Sequence, residues 1–245
     1  MIQGIYLASQ GMTMLMQKQD QIANNLANIN TTGYKESGLF AKELNKCLAD
    51  TKRQPYVNMA IKPDEVYVDY SEGAPRTTGN PMDLLVKGSG FFTVMTPNGV
   101  GYTRNGNFSS DPDGFLVNSE GWKVMSKEGY IKLDQDAPAP TVTGEGEVLQ
   151  GNETKGILRI VDFEKPYNLL RMGTSCFIPK NADETKPIQS PGYVIRQGFL
   201  ESSNVNIIKN MVEMIAAYRN FEADQRALLA QDQTLDKAAN QVGRI

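Results

Sequence analysis

The two ends of this 245-residue chain carry apolar residues at alternating steps of three and four, and this constrains its fold most. At the N-terminus the series is Ile5, Ala8, Met12, Leu15, Gln19, Ile22, Leu26 and Ile29, seven of the eight apolar. At the C-terminus it is Ile207, Met211, Met214, Tyr218, Phe221, Gln225, Leu228, Asp232, Leu235, Ala239 and Val242, nine of the eleven apolar. Such spacing keeps one stripe of a helix on one side, as in the seam of a coiled coil. It predicts helices over about Ile2–Ile29 and Val205–Gln241, about 40 and 55 Å long. Asn204 or Asn206 can cap the start of the second helix, and Asn28, Asn30 and Gly33 suit the end of the first. By periodicity alone, two core helices of an ordinary globular domain fit equally well. Their place at the extreme ends, bracketing a middle of another type, favours a helical pair set apart.

The N-terminal helix has an unusual outer face. Met1–Tyr34 holds two charged residues, Lys18 and Asp20, while Gln3, Gln10, Gln17, Gln21, Asn24 and Asn25 occupy positions where a surface helix usually carries Lys and Glu. Amides meet water or a protein neighbour without the desolvation cost of a full charge, so this composition fits a helix covered on several sides.

The middle reads differently. Residues 35–81 look like an irregular extended connector, with Pro55, Pro63, Gly73, Pro75 and Gly79, although Val66–Tyr70 alternates like a short strand. From Met82 onward, runs such as Leu84–Val86, Phe91–Val94, Gly156–Phe163 and Tyr193–Ile195 alternate with Gly, Asn, Asp and Pro turns, which predicts a compact antiparallel β-domain over 82–203. The expected class is therefore α+β. The terminal helices, 1–34 with 204–245, form an antiparallel coiled-coil-like domain, and a central all-β domain follows the connector.

Chemistry is sparse. There is no His, which removes Ser-His-Asp triads, Cys-His pairs and His metal sites. Cys47 and Cys176 form no local metal or redox motif and are expected as free thiols, with a disulfide still open. Ser109–Glu120 places Asp111, Asp113, Gly114 and Glu120 at calcium-loop positions, but Ser109 replaces the first Asp and Pro112 stiffens the loop; a hairpin turn is the better reading. Gly88-Ser89-Gly90 is too short for a phosphate loop, and Phe91-Phe92 follow where a helix should open. Asp134 and Asp136 read as a solvated turn. No catalytic residue, metal site or cofactor is expected. A net charge of −3 gives no reason to expect nucleic acid. No basic n-region or cleavage site marks a signal peptide, and no apolar run suits membrane insertion.

Three stretches carry a resemblance. Ile22–Lys35, with Asn24-Asn25-Leu26-Ala27-Asn28 followed by Thr32-Gly33-Tyr34-Lys35, resembles the N-terminal signature of the bacterial flagellar rod and hook proteins. Gly198–Asn206, Met211–Ile215 and Arg219–Glu222 resemble the other end of the same family. Asp83–Val94 and Tyr102–Gly121 resemble its β-domain, with Tyr102-Thr103-Arg104-Asn105-Gly106 at its centre. Length and the ending Leu235–Ile245 look more like the proximal rod type than the distal one. The resemblance implies a subunit of the basal-body rod, the helical drive shaft between membrane ring and hook. It implies self-assembly with other rod proteins, passage through the flagellar export apparatus without signal cleavage, and a final place across the periplasm. The assembly surface it implies comprises Ile5, Met12, Leu15, Ile22, Asn24, Asn25, Leu26, Asn28, Met211, Met214, Tyr218, Phe221 and Leu228. Long helices without neighbours are marginal in water, so the ends are expected to order on assembly. A secreted binding module on a coiled-coil stalk and a calcium-regulated or hydrolytic β-domain are the rival readings.

Overall fold

A computed structural model describes residues 2–41, 63–165, 167–180, 185–190 and 192–242; the side chains of 2–7, 40–41, 63–65, 189 and 238–242 lie outside that description. The chain divides into two compact units. The helical unit comprises residues 1–27, 36–69 and 205–245, and the β unit comprises 28–35 and 70–204.

In the helical unit, α1 runs over Ile2–Ala27 and α2 over Ile207–Val242. Asn206 caps α2: its side-chain oxygen accepts from the Lys209 N–H at 3.1 Å, satisfying one of the first-turn donors. The two helices lie against each other in opposite directions. Lys18 pairs with Glu213 at 3.8 Å, and Gly11, earlier in α1, faces Asp224, later in α2. The exposed Lys18–Glu213 pair contributes little by itself; the covered side chains hold the pair together. Strands β1 (Ser37–Ala41) and β2 (Pro63–Val68) form an antiparallel ribbon, with Gly38 opposite Tyr67. Ordered ribbon thus stands where the sequence suggests an irregular connector. The alternation at Val66–Tyr70 is the one local signal for it, and the short run Ser37–Ala41 carries no such alternation to mark it as the partner.

The β unit holds sixteen strands among the described residues, all paired antiparallel. They are β3 (Pro75–Thr77), β4 (Leu84–Gly88), β5 (Phe91–Thr96), β6 (Gly99–Thr103), β7 (Phe108–Ser110), β8 (Leu116–Asn118), β9 (Lys123–Val124) and β10 (Thr141–Val142). There follow β11 (Glu147–Gln150), β12 (Glu153–Ile157), β13 (Ile160–Asp162), β14 (Leu169–Met172), β15 (Cys176–Pro179), β16 (Ile188–Gln189), β17 (Tyr193–Gln197) and β18 (Phe199–Glu201). The main sheet runs β14-β15-β6-β5-β9-β8-β7, with β13 joining β5 to β16. A three-stranded sheet, β10-β11-β12, and the pairs β17-β4 and β18-β3 complete the unit.

β5 explains the Phe91-Phe92 run. Both faces of the strand are covered, so its apolar residues are continuous rather than alternating. Phe92 and Val94 face a core with Leu84, Val86, Phe108, Val124, Ile131 and Leu158. Phe91 faces a second cluster of rings, Tyr70, Phe163, Tyr167 and Phe177, with centroids 5.9–6.1 Å from its own. Full burial of each such ring contributes about 2–3 kcal/mol. In the segment Gly88-Ser89-Gly90, Gly88 ends β4 and Ser89-Gly90 links it to β5. Ser109–Glu120 contains the β7–β8 hairpin, closed by Asp111: its carbonyl accepts from Gly114 N–H and its carboxylate from Phe115 N–H at 2.7 Å. Asp134 is largely exposed and pairs with Lys155 at 2.7 Å.

Candidate assembly site

The expected assembly residues separate into two groups. On α1, Met12, Leu15 and Leu26 are half-buried and Ile22 is buried, whereas Asn24 is exposed. Asn28 is half-buried in the turn that follows, where its carbonyl accepts from Thr31 N–H. The side chain of Ile5 lies outside the described residues. Asn25 is buried: its amide donates to the Ser37 carbonyl at 2.7 Å and its oxygen accepts from the Ser37 N–H at 3.0 Å. Its amide therefore holds β1 to the end of α1 within the same chain, a use distinct from capping or from bonding a neighbour.

On α2 the covered stripe is Asn210, Met214, Ala217, Phe221, Asp224, Leu228, Gln231 and Leu235, flanked by Glu213 and Glu222. Met214, Phe221 and Leu228 belong to the expected series. Met211 and Tyr218, of the same expected series, lie outside the covered stripe: they are 48% and 57% exposed. They join Ile208, Val212 and Ile215, which are 76%, 60% and 56% exposed, in a second apolar stripe on the outside of the helix. Ile208, Met211, Val212, Ile215 and Tyr218 follow steps of three and four, so they lie on one face. Scattered exposed apolar residues are ordinary, but a contiguous set of this kind marks an interaction surface.

A second constellation lies inside the β unit. Glu201, at the end of β18, is 2% exposed, and the Lys35 ammonium bonds its carboxylate directly. Arg104, just after β6, approaches the other carboxylate oxygen at 3.5 Å and donates to the Val86 and Gly88 carbonyls at 3.0 and 2.7 Å. Lys35 also donates to the Ser71 carbonyl at 2.6 Å, and Gly73 N–H donates to Glu201 at 3.0 Å. Burial lowers the pKa of Lys35 from its ordinary value, and the Glu201 charge opposes that shift without cancelling it. The loop leading to Lys35 is fitted closely. Gly33 has φ +66°, and a Cβ there would fall 2.4 Å from the Asn105 backbone nitrogen. Its N–H donates to the Glu201 carbonyl at 2.8 Å, and Thr32 bonds Asn105 at 2.7 Å. The Arg171 guanidinium covers the Tyr34 ring at 4.3 Å and donates to the Lys35 carbonyl.

This constellation joins separate segments of the one chain to each other. Among the described residues, no three His, Cys, Asp or Glu side chains are placed to hold a metal ion, and no helix is long and apolar enough to cross a membrane. Cys176 is a buried free thiol; Cys47 lies outside the described residues.

Three stretches of the chain match families of known proteins. Residues 5–35 match the family model described as Flagella basal body rod protein. Residues 85–150 match that of the Flagellar hook protein FlgE/F/G D1 domain, and residues 196–242 that of the Flagellar basal body rod FlgEFG protein C-terminal. The chain is 30% identical to flagellar basal-body rod protein FlgF of Mesorhizobium japonicum, over 98% of this chain and 97% of that protein. The chain belongs to the flagellar basal-body rod protein family. It is also 28% identical to FlgG of Bacillus subtilis, over 98% of this chain and 99% of that one, and 30% identical to FlgG of Borreliella burgdorferi, over 98% of each. Each of the three matched segments contributes one member of the buried charge node: Lys35, Arg104 and Glu201. The sequence displayed these motifs separately. Only the fold shows that they meet, because no periodicity links positions 35, 104 and 201.

Proposed function

We propose that this chain is a non-enzymatic structural subunit that polymerises through its terminal helices into the rod of the flagellar basal body and carries torque between membrane ring and hook. The observation that carries this reading is the outer stripe of α2, Ile208, Met211, Val212, Ile215 and Tyr218, left uncovered by α1. A rod subunit has neighbours on several sides, so a helix with one stripe for its own partner and another for a neighbour suits it. Such contacts are heterologous, and a rotation that does not close builds a filament. The α1–α2 pair packs in coiled-coil fashion in the assembled tube, and the ends complete their ordering there. The chain reaches the basal body through the flagellar export apparatus, uncut, and lies across the periplasm. Proximal placement is favoured over distal. That preference rests on the length of the chain and on the likeness of its ending, Leu235–Ile245; distal placement in the same rod is the alternative.

Leu26→Asp would test the seam, but Leu26 is half-buried within its own chain, so loss of assembly could reflect misfolding. Val212→Glu with Ile215→Glu is cleaner, because both side chains are exposed. The double variant is expected to keep its unfolding midpoint within about 1 kcal/mol of the parent. It should fail to enter rods and leave cells without motility. A folded double variant that assembles and swims like the parent would refute the interface.

A further inference from the structure

The chain leaves the β unit after Lys35, returns at Tyr70 and leaves again after Asn204. Residues beside all three passages are bonded to one another. Lys35 donates to the Ser71 carbonyl and to Glu201; Asn204 donates to the Ser71 carbonyl and hydroxyl at 3.3 and 3.0 Å; Gly33 and Gly73 N–H groups both donate to Glu201. Two cations, Lys35 and Arg104, each under 5% exposed, share one carboxylate.

The electrostatics make these segments interdependent. Arg104 has two carbonyls to hold it when Glu201 is elsewhere. Lys35 would retain the Ser71 carbonyl, but it would share a buried site with the Arg104 charge and only the weaker counter-charge of Glu72. Seating loop 28–35 therefore requires that β18 is already in place, and by linkage β18 is held more firmly when the loop is seated. Loop 28–35 directly follows α1, and β18 lies five residues before α2. We infer that the Lys35–Glu201–Arg104 node is a conditional latch, which fixes the roots of the two terminal helices as a pair and leaves neither fixed alone. This inference rests on the geometry of the β unit and is independent of what the helices assemble into.

Hydrogen exchange read by mass spectrometry on the full-length chain tests it. In Lys35→Gln, exchange should quicken about tenfold or more in 199–204 as well as in 30–36. Glu201→Gln should open the same two segments, with β5 and β6 protected in both variants. If Lys35→Gln loosens 30–36 alone, leaving 199–204 as in the parent, the latch is refuted. Should Glu201→Gln unfold the whole unit, Lys35→Gln still decides. The double variant Lys35→Gln with Glu201→Gln closes the cycle: coupling predicts less opening than the two single changes combined, and strict additivity would overturn it.

Discussion

Asn25 and Ser37 close a ring of two hydrogen bonds, side-chain amide to backbone N–H and carbonyl, with both residues buried. Asn alone among side chains of its size offers a donor and an acceptor in one plane, matching an extended backbone. Asn25→Ala leaves a buried N–H and a buried carbonyl without this partner, at a cost of about 1–3 kcal/mol. Asn25→Asp is expected to be no better, because a carboxylate cannot donate to the Ser37 carbonyl. Urea unfolding of the two variants checks this; a parent-like midpoint for either would show that the ring contributes nothing.

Gly33 and Gly79 share a left-handed backbone but not an environment. Their φ values are +66° and +73°, yet a Cβ on Gly79 meets nothing within 4 Å, whereas one on Gly33 strikes the Arg104–Asn105 backbone. Gly79→Ala should cost about 1 kcal/mol, the conformational share alone. Gly33→Ala adds a clash with backbone that cannot yield, and should cost several times more, about 3 kcal/mol or above. Thermal unfolding of the pair separates the two effects. Equal losses would mean that loop 28–35 is not seated as described.

These residues also show what the sequence could and could not disclose. Both terminal helices, the cap at Asn206 and the doubly covered β5 follow from period, turn chemistry and local composition. The register of α2 follows only in part. Its sequence contains two overlapping apolar stripes, and steps of three and four cannot say which one faces α1. Met214, Phe221, Leu228 and Leu235 are shared by the expected and observed series, but Asn210, Ala217, Asp224 and Gln231 complete the covered stripe in place of Met211, Tyr218, Gln225 and Asp232. The inner stripe accepts small and polar residues because α1 opposite it is itself rich in Gly, Ala and Gln. The charge node was invisible for a different reason: its members are 69 and 97 positions apart, and a lone Lys, Arg or Glu reads as surface until the fold buries it.

Tyr70 contributes its ring to the aromatic cluster, 4.7 Å from Tyr167 and 5.3 Å from Phe177, while its buried hydroxyl has no hydrogen-bond partner among the described residues. Phe keeps the ring contacts and removes the unsatisfied oxygen. Tyr70→Phe is therefore expected to stabilise the β unit by about 1 kcal/mol. A calorimetric midpoint below that of the parent would mean that the hydroxyl has a partner in solution, such as an ordered water.

The β unit should weaken in alkali, and the cause can be isolated. Burial pushes the Cys176 thiol up from 9.0 to about 11, and pushes the Tyr70 and Tyr167 hydroxyls from 10.0 to about 12, with Asp162 adding to the last. Each group is neutral when protonated. Between its unfolded and folded values it is therefore ionised in the unfolded chain and still protonated in the fold. The folded state then binds more protons, so stability falls as pH rises, from about pH 9 to 11 for Cys176 and from 10 to 12 for the tyrosines. Lys35 acts in the opposite sense, since its folded value lies below 10.5 and the unfolded chain binds the extra proton up to that pH. Urea midpoints measured at pH 8, 9.5 and 10.5 should therefore decline in the parent. In Cys176→Ala the decline should be shallower by up to one proton, on top of a pH-independent loss of about 1 kcal/mol or more from the vacated core site. If the two chains lose stability in parallel across that range, the Cys176 thiol is not the group that holds its proton in the fold.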